Sequence, residues 1–362
     1  MSVNRISYID GLRGWAAFSV MLFHIFWEAL GAGFPEFRPR TISFFLNGPL
    51  AVFIFFILSG DALSAPFIKN YNISVIQKTA LYRYFRLTIP ITMSCFISYF
   101  LLKFNLTYNR DAAVIVNRVD WLGEFVRISA SLPDVVKYAT YDVYANHTTA
   151  TSYNPFLWTM STELIGSLMI FVYLILLKSI EDKMTPTIIV IIFFMLNKSY
   201  YSLFFIGVIF SLLRERNNFN YANVKKQRII SYSILIFTIL YQAFTGKVGG
   251  GFNGRNIIGA TMLVFAVYTN PDLRLLMQNK ISHFLGRISF PLYLVHFSII
   301  ISILSFLIIK LDQAKQLTFT TALISGVISC ILSILFAIIF MHIENKIHQY
   351  ARMKLLPKLN TV

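Results

Sequence analysis

The run Gly11-Leu-Arg-Gly-Trp-Ala-Ala-Phe-Ser-Val-Met-Leu-Phe-His24 reads as the first of a series of membrane-crossing helices, and it carries two ionisable side chains, Arg13 and His24. The apolar stretch around it, near residues 12 to 31, has spanning length. Eleven positions at 100° each bring His24 back to nearly the azimuth of Arg13, so the two share a helix face roughly 16 Å apart along the axis. A hydrocarbon core is about 30 Å thick, so the pair can serve both ends of one long ligand threaded into the membrane. Ionisable groups at such depth are costly and mark a functional position by default.

Composition agrees. Hydrophobic residues make up 56% of the 362-residue chain and charged residues 13%, and the mean hydropathy is +0.64, whereas about a quarter of the residues of a soluble globular domain are charged. The formal charge of +16 points to nucleic acid only if the basic residues form one patch. They lie instead in short segments between apolar runs, the pattern of membrane topology, so no nucleic-acid partner is expected. Cys95 and Cys330 both sit within apolar runs, and no disulfide framework is implied. No short apolar stretch followed by a small-residue cleavage site opens the chain, so the first span is expected to stay as a helix. No metal site and no permanently bound cofactor are expected.

Apolar runs of spanning length fall near residues 12–31, 47–65, 87–103, 156–177, 229–245, 256–270, 288–309 and 319–341. The stretch from Thr187 to Leu213 is one long helix or two short ones broken at Asn197-Lys-Ser199. Charge parity favours two: only then do Lys178 and Lys183 share a side with Arg214, Arg216, Lys225, Lys226 and Arg228. The expected fold is therefore all-α, a polytopic integral membrane bundle of about ten transmembrane helices with both termini cytoplasmic, and residues 1–362 form a single domain. The long hydrophilic segment 104–155 falls outside. Within it Trp121, Phe125, Ile128 and Leu132 recur at helical spacing, which predicts an amphipathic interfacial helix, or else a solvated connector. The loop Gly246–Gly254 lacks the Gly-Lys-Ser/Thr ending of a phosphate loop and reads as a flexible turn.

Five segments in order resemble a known family. Tyr8-Ile-Asp-Gly-Leu-Arg-Gly-Trp-Ala-Ala17 with His24 is similar to the opening of the acyltransferase 3 family of integral membrane O-acyltransferases. Phe55-Phe-Ile-Leu-Ser-Gly60 resembles its second-helix motif and Tyr82-Arg-Tyr-Phe-Arg-Leu87 its cytoplasmic Arg-x-x-Arg motif. Trp158-Thr-Met-Ser-Thr-Glu163 resembles its Trp-Ser-x-Ser-x-Glu element, and Ile288-Ser-Phe-Pro-Leu-Tyr-Leu-Val-His296 its late Ser-x-x-Leu-Tyr-Leu-x-His element. Gly31-Ala-Gly-Phe-Pro35 is loosely similar to a glycine-rich outer motif of some members. Asp61 departs from the pattern, since an apolar residue is usual after the Ser-Gly.

The resemblance implies transfer of an acyl group, often acetyl, from a cytoplasmic acyl-CoA donor such as acetyl-CoA to a hydroxyl of an extracytoplasmic acceptor, a surface polysaccharide or other glycan. It also implies an integral, multi-pass place in the plasma membrane, most commonly a bacterial inner membrane. Arg83 and Arg86 suit the CoA phosphates, because a guanidinium stays charged and binds phosphate through two hydrogen bonds. Arg13 would assist them, with Asp10 as its ion-pair partner. His24 is placed as general base on the acceptor hydroxyl, since imidazole titrates near working pH. Glu163 either orients that imidazole, as the acid does in a triad, or forms a salt pair with a neighbouring Arg. Ser161 serves as hydrogen-bond support or packing in preference to carrying the acyl group. Tyr293 and His296, three residues apart, read as supporting or tunnel-lining groups.

A transporter or flippase is the rival of another class, because buried charge among many helices fits it too. Such proteins tend to show two halves of similar hydropathy pattern, which this chain lacks. An acyltransferase for lipids or small metabolites is the rival within the enzymes. Topology is testable: single cysteines at Ser131 and Lys226 in a Cys95→Ser, Cys330→Ser background should label from opposite faces of sealed cells, the first from outside. Labelling from one side would mean that 187–213 has been miscounted.

Overall fold

The computed structural model describes residues 6–217, 219, 223–245 and 251–355, and among them the regular structure is entirely helical. In chain order the helices are α1 (Ser7–Leu22, continued as a π-helix over Phe23–Leu30), α2 (Gly48–Asn70), α3 (Ile73–Lys103), α4 (Asn109–Ile115), α5 (Leu132–Lys137), α6 (Val143–Ala145), α7 (Trp158–Leu177) and α8 (Met184–Leu196). Next come α9 (Tyr201–Glu215), α10 (Val224–Thr245), α11 (Gly254–Thr269), α12 (Pro271–Met277) and α13 (Lys280–Ile299, continued as a π-helix over Ile300–Leu304). The last two are α14 (Ser305–Gln313) and α15 (Phe319–Leu355). Most of the expected loop Gly246–Gly254 lies outside the described residues.

Among the described residues, five stretches are long and apolar enough to cross a bilayer: Gly48–Asn70, Ile73–Lys103, Pro155–Leu177, Lys280–Gln313 and Phe319–Ala351. Helices α9 and α11, at 15 and 16 residues, fall short of the roughly 20 that a straight span needs. The outer faces of these helices carry large apolar side chains. On α7, Leu168, Val172, Ile175 and Leu176 are exposed, and on α8 Ile188, Ile189, Ile192 and Leu196, the last to 79%. Leaving such surface in water costs about 25 cal/mol per Å²; a hydrocarbon surround removes that cost. The chain is a multi-pass membrane protein.

Between Thr187 and Leu213 the chain forms the two helices that charge parity favours. The break comes at Lys198, whose φ is 49°, and the Asn197 side-chain amide donates 2.8 Å to the Phe193 carbonyl at the end of α8. The rings of Phe194 and Phe205 then stack α8 on α9 at 5.5 Å. Elsewhere two expectations are corrected. The apolar run near 87–103 is only the second half of a longer helix: α3 begins ten residues before Arg83 and carries both Arg83 and Arg86 in its N-terminal half. The amphipathic helix over Trp121–Leu132 does not form either. A short 3₁₀ turn covers Leu122–Glu124, Val126 has a φ of 50°, and α5 starts only at Leu132. The reason is competition for carbonyls: the buried Asn109 amide takes those of Leu122 (2.9 Å) and Phe125 (3.3 Å), and the Arg127 amide donates 2.9 Å to Ala150 instead of to its own ladder. Farther on in the segment, His147 Nδ1 meets the Tyr138 hydroxyl at 2.8 Å. Burial pushes that imidazole's pKa below its ordinary value.

Contacts group the chain into two units. One comprises Met1–Val20, Arg40–Leu81 and Thr162–Arg287; the other comprises Met21–Pro39, Tyr82–Ser161 and Ile288–Val362. In the first, α2 packs along α9 and against α11, and α10 lies along α11. Gly60 and Gly207 face each other across the α2–α9 contact. A Cβ on Gly207 would meet the Ile57 carbonyl oxygen and the Asp61 amide nitrogen, and one on Gly60 the Phe204 carbonyl. In the second unit α4 packs on α14, and α15 runs beside the π-helical turn of Phe23–Leu30. There Glu28 pairs with Arg118.

Because the atoms facing Gly207 are backbone, they cannot rotate away. Gly207→Val is therefore expected to lower stability by about 3 kcal/mol or more, at or beyond the top of the overpacking range, seen as loss of a monodisperse species in detergent. Gly254→Ala, where a Cβ would meet nothing within 4 Å, should leave the melting temperature unchanged or slightly raised.

Candidate functional site

In the second unit two histidines 272 positions apart in sequence come together. His24 Nδ1 lies 2.9 Å from His296 Nε2, with the rings nearly parallel, 8° between planes and 5.2 Å between centroids. The Phe156 ring stacks on both, at 3.8 Å from His24 and 5.0 Å from His296. Trp121 closes on His24 from 5.9 Å. His24 is half-buried, whereas His296 is wholly buried.

The hydrogen bonds assign the protons. His296 Nδ1 is 2.9 Å from the carbonyl oxygen of Leu292, one turn back on α13. A backbone carbonyl only accepts, so Nδ1 of His296 carries hydrogen and its neutral ring offers Nε2 as an acceptor. His24 Nδ1 must then donate to it. What remains on His24 is Nε2 with an unshared pair, the tautomer a general base needs.

The surroundings hold this relay in place. The Tyr293 hydroxyl donates to the Phe156 carbonyl, and Thr159 meets the same hydroxyl at 2.8 Å. The buried Asn154 amide donates 3.1 Å to the Leu294 carbonyl and 3.1 Å to Ser94 Oγ, while its oxygen caps the Phe156 amide at 3.1 Å. These bonds fix the turn that leads into α7 and with it the Phe156 ring. Ser161 follows on α7, half-buried. Arg83 and Arg86 lie three apart on α3, hence on neighbouring positions of one helix face, the first half-buried and the second exposed. The α3 segment is held by Tyr82, whose hydroxyl meets His348 Nδ1 at 2.9 Å, and by Tyr84, which donates 2.8 Å to the Thr140 carbonyl.

The first unit holds the other expected residues. Arg13 Nη2 donates 3.0 Å to the Leu58 carbonyl of α2 and stands 4.0 Å from Asp10. Glu163 accepts a 2.6 Å bond from Ser59. One residue pair beyond, Asp61 takes two bonds from Arg214, at 2.7 and 2.5 Å, and a third from the Tyr268 hydroxyl at 2.5 Å. Among the described residues no three His, Cys, Asp or Glu side chains converge as a metal ion would require.

His24, His296 and Tyr293 stood out in the sequence, and Ser59 lay within the second-helix motif; Phe156 carried no signal, and the partners of Asp61 were marked only by Asp61 itself, a carboxylate inside an apolar run. Comparison with known proteins settles the kinship. The acyltransferase 3 model, described as an acyltransferase domain, matches residues 6–342. The chain belongs to that family. This acyltransferase is also similar to O-acetyltransferase PaAT-1 of Phomopsis amygdali, at 23% identity over an alignment of 357 positions, with 81% of this chain and 72% of the relative covered. No solved structure matches it.

The proton assignment predicts a spectroscopic result. With ¹⁵N-labelled histidine, His24 of the unaltered protein should show a protonated Nδ1 and an unprotonated Nε2. His296→Phe should convert it to a mixture of tautomers. A His24 signal indifferent to that substitution would refute the relay.

Proposed function

We propose that this membrane acyltransferase moves an acyl group, foremost acetyl, from a cytoplasmic acyl-CoA to a hydroxyl of an extracytoplasmic acceptor, a surface polysaccharide or other glycan. The observation that carries the reading is the chain Leu292 carbonyl, His296, His24, which leaves His24 Nε2 as a base. The similarity to an O-acetyltransferase of Phomopsis amygdali supports acetyl and an oxygen acceptor. The orientation that goes with this reading has about ten crossings in a plasma membrane, both termini cytoplasmic and the 104–155 segment outside.

In the reaction, the acceptor hydroxyl gives its proton to His24 Nε2 as its oxygen attacks the thioester carbonyl. The resulting imidazolium keeps its Nδ1–H on His296, whose own Nδ1–H stays on the Leu292 carbonyl. This is the orienting task of the acid in a triad, done here by a neutral ring. Collapse of the tetrahedral intermediate expels the CoA sulfur, which takes the proton back from His24, so the products are ester and free CoA thiol. Phe156 and Trp121 flank His24 with apolar surface and limit competing water. Arg83 and Arg86 bind the CoA phosphates with Arg13 in support. Glu163 stabilises positive charge at the centre, and Ser161 contributes a hydrogen bond.

His24→Ala should lower turnover by two or more orders of magnitude with acyl-CoA still bound, while Arg83→Ala and Arg86→Ala should weaken donor binding more than turnover. The decisive assay uses purified protein in sealed, orientation-sorted liposomes. Labelled acetyl-CoA supplied at the cytoplasmic face alone should acylate a glycan supplied at the other. Solute accumulation without thioester cleavage, across a panel of acceptors, would make it a transporter.

A further inference from the structure

Asp61 is a carboxylate inside the apolar run of α2, and in the first unit α9 and α11 both reach it. It is 0% exposed, thirteen positions after Gly48 begins α2. A carboxylate so placed persists only if it is paired and its remaining lone pairs are bonded. Arg214, from the last turn of α9, supplies two parallel bonds at 2.7 and 2.5 Å, and Tyr268 of α11 a third at 2.5 Å. Tyr268 is itself braced by Tyr8, edge-on at 5.3 Å. Three helices and the start of α1 thus meet at one carboxylate.

The same turn of α2 carries two further bonds. The Leu58 carbonyl accepts from Arg13 at 3.0 Å, and Ser59 Oγ donates to Glu163 at 2.6 Å. Gly60 lets the α9 backbone press against this turn. From Leu58 to Asp61, then, four consecutive residues hold Arg13, hold Glu163, admit α9 and clamp Arg214.

We propose that Asp61 and Arg214 are positioning residues for acyl transfer. By fixing the rotation and height of the Leu58–Asp61 turn against α9 and α11, they set where the Leu58 carbonyl and the Ser59 hydroxyl lie, and so hold Arg13 for the donor and Glu163 for the reacting centre. The inference rests on the roles given above to Arg13 and Glu163. A guanidinium fork is required because two fixed bonds define an orientation, which a single ammonium contact does not.

The test separates positioning from stability. Removing one partner of a buried pair strands the other charge, whereas replacing both with apolar side chains of similar volume is often neutral or stabilising. The full-length Asp61→Leu/Arg214→Met double variant in nanodiscs should therefore melt within about 4 °C of the unaltered protein. It should show an acetyl-CoA KM raised and a kcat lowered, each by about tenfold or more, together with faster amide hydrogen exchange in peptides covering Leu12–Trp15 and Thr162–Ile165. Arg214→Lys, which keeps the charge and loses the fork, should shift the same readings in the same direction by less, and it decides the matter if the double variant fails to fold. Unaltered kinetics and unaltered exchange in a folded variant would overturn the proposal. If the unaltered protein cleaves no thioester, the transferase reading has failed instead. The exchange measurement then stands alone, and unchanged protection around Arg13 and Glu163 overturns the positioning role by itself.

Discussion

A charged or strongly polar side chain inside a hydrocarbon layer has no water to turn to, so it persists there only with a partner from the chain itself. That constraint orders the structure. Asp61 is met by Arg214 and Tyr268, His24 by His296, and His296 by a carbonyl of its own helix. Asn154 is met by Ser94 and the Leu294 carbonyl. The pairings of Asp61, His24 and Asn154 join segments that are distant in sequence, so these polar residues specify which segments meet and in what register. Apolar packing alone is less selective, because lipid tails compete equally for Leu and Ile.

The histidine pair shows how such a pairing becomes chemistry. A carbonyl can accept but never donate, and this one fact propagates outward through two rings until it reaches His24 Nε2. A carboxylate in the place of His296 would also orient His24, but it would bring a full negative charge into an apolar surround, at a desolvation cost of several kcal/mol. The neutral ring does the orienting without that cost and stacks on Phe156 besides.

Small residues mark where backbone must approach backbone. In the Asp-Gly-Leu-Arg-Gly opening, a Cβ at Gly11 would collide with the Met277 carbonyl and one at Gly14 with the Leu285–Gly286 backbone. The glycines thus press the start of α1 against the α12–α13 corner, and the same logic explains Gly60 in the second-helix motif. Motif residues divide accordingly into those that touch through side chains, such as Arg13 and Ser59, and those needed for the side chain they lack.

Much of this was legible in the amino-acid sequence. Apolar runs separated by basic segments determined that the chain is helical and membrane-embedded, because twenty consecutive apolar residues have few other stable fates. Charge parity favoured a break near Lys198 but left one long helix open, and the ordered motifs from Tyr8 to His296 carried the family. His24 and His296 were each visible as imidazoles in apolar runs. Three things were decided by tertiary structure alone. The pairing of His24 with His296, and hence the identity of the group that orients the base, depends on contacts across 272 positions that no local spacing encodes. The clamp on Asp61 needed α9 and α11 to bring Arg214 and Tyr268 to it. The segment around Trp121 kept the spacing of a helix yet did not form one, since Asn109 took the carbonyls that the helix would have used. Periodicity records which residues are apolar; which hydrogen-bond partner reaches a carbonyl first is settled only when the distant parts of the chain have met.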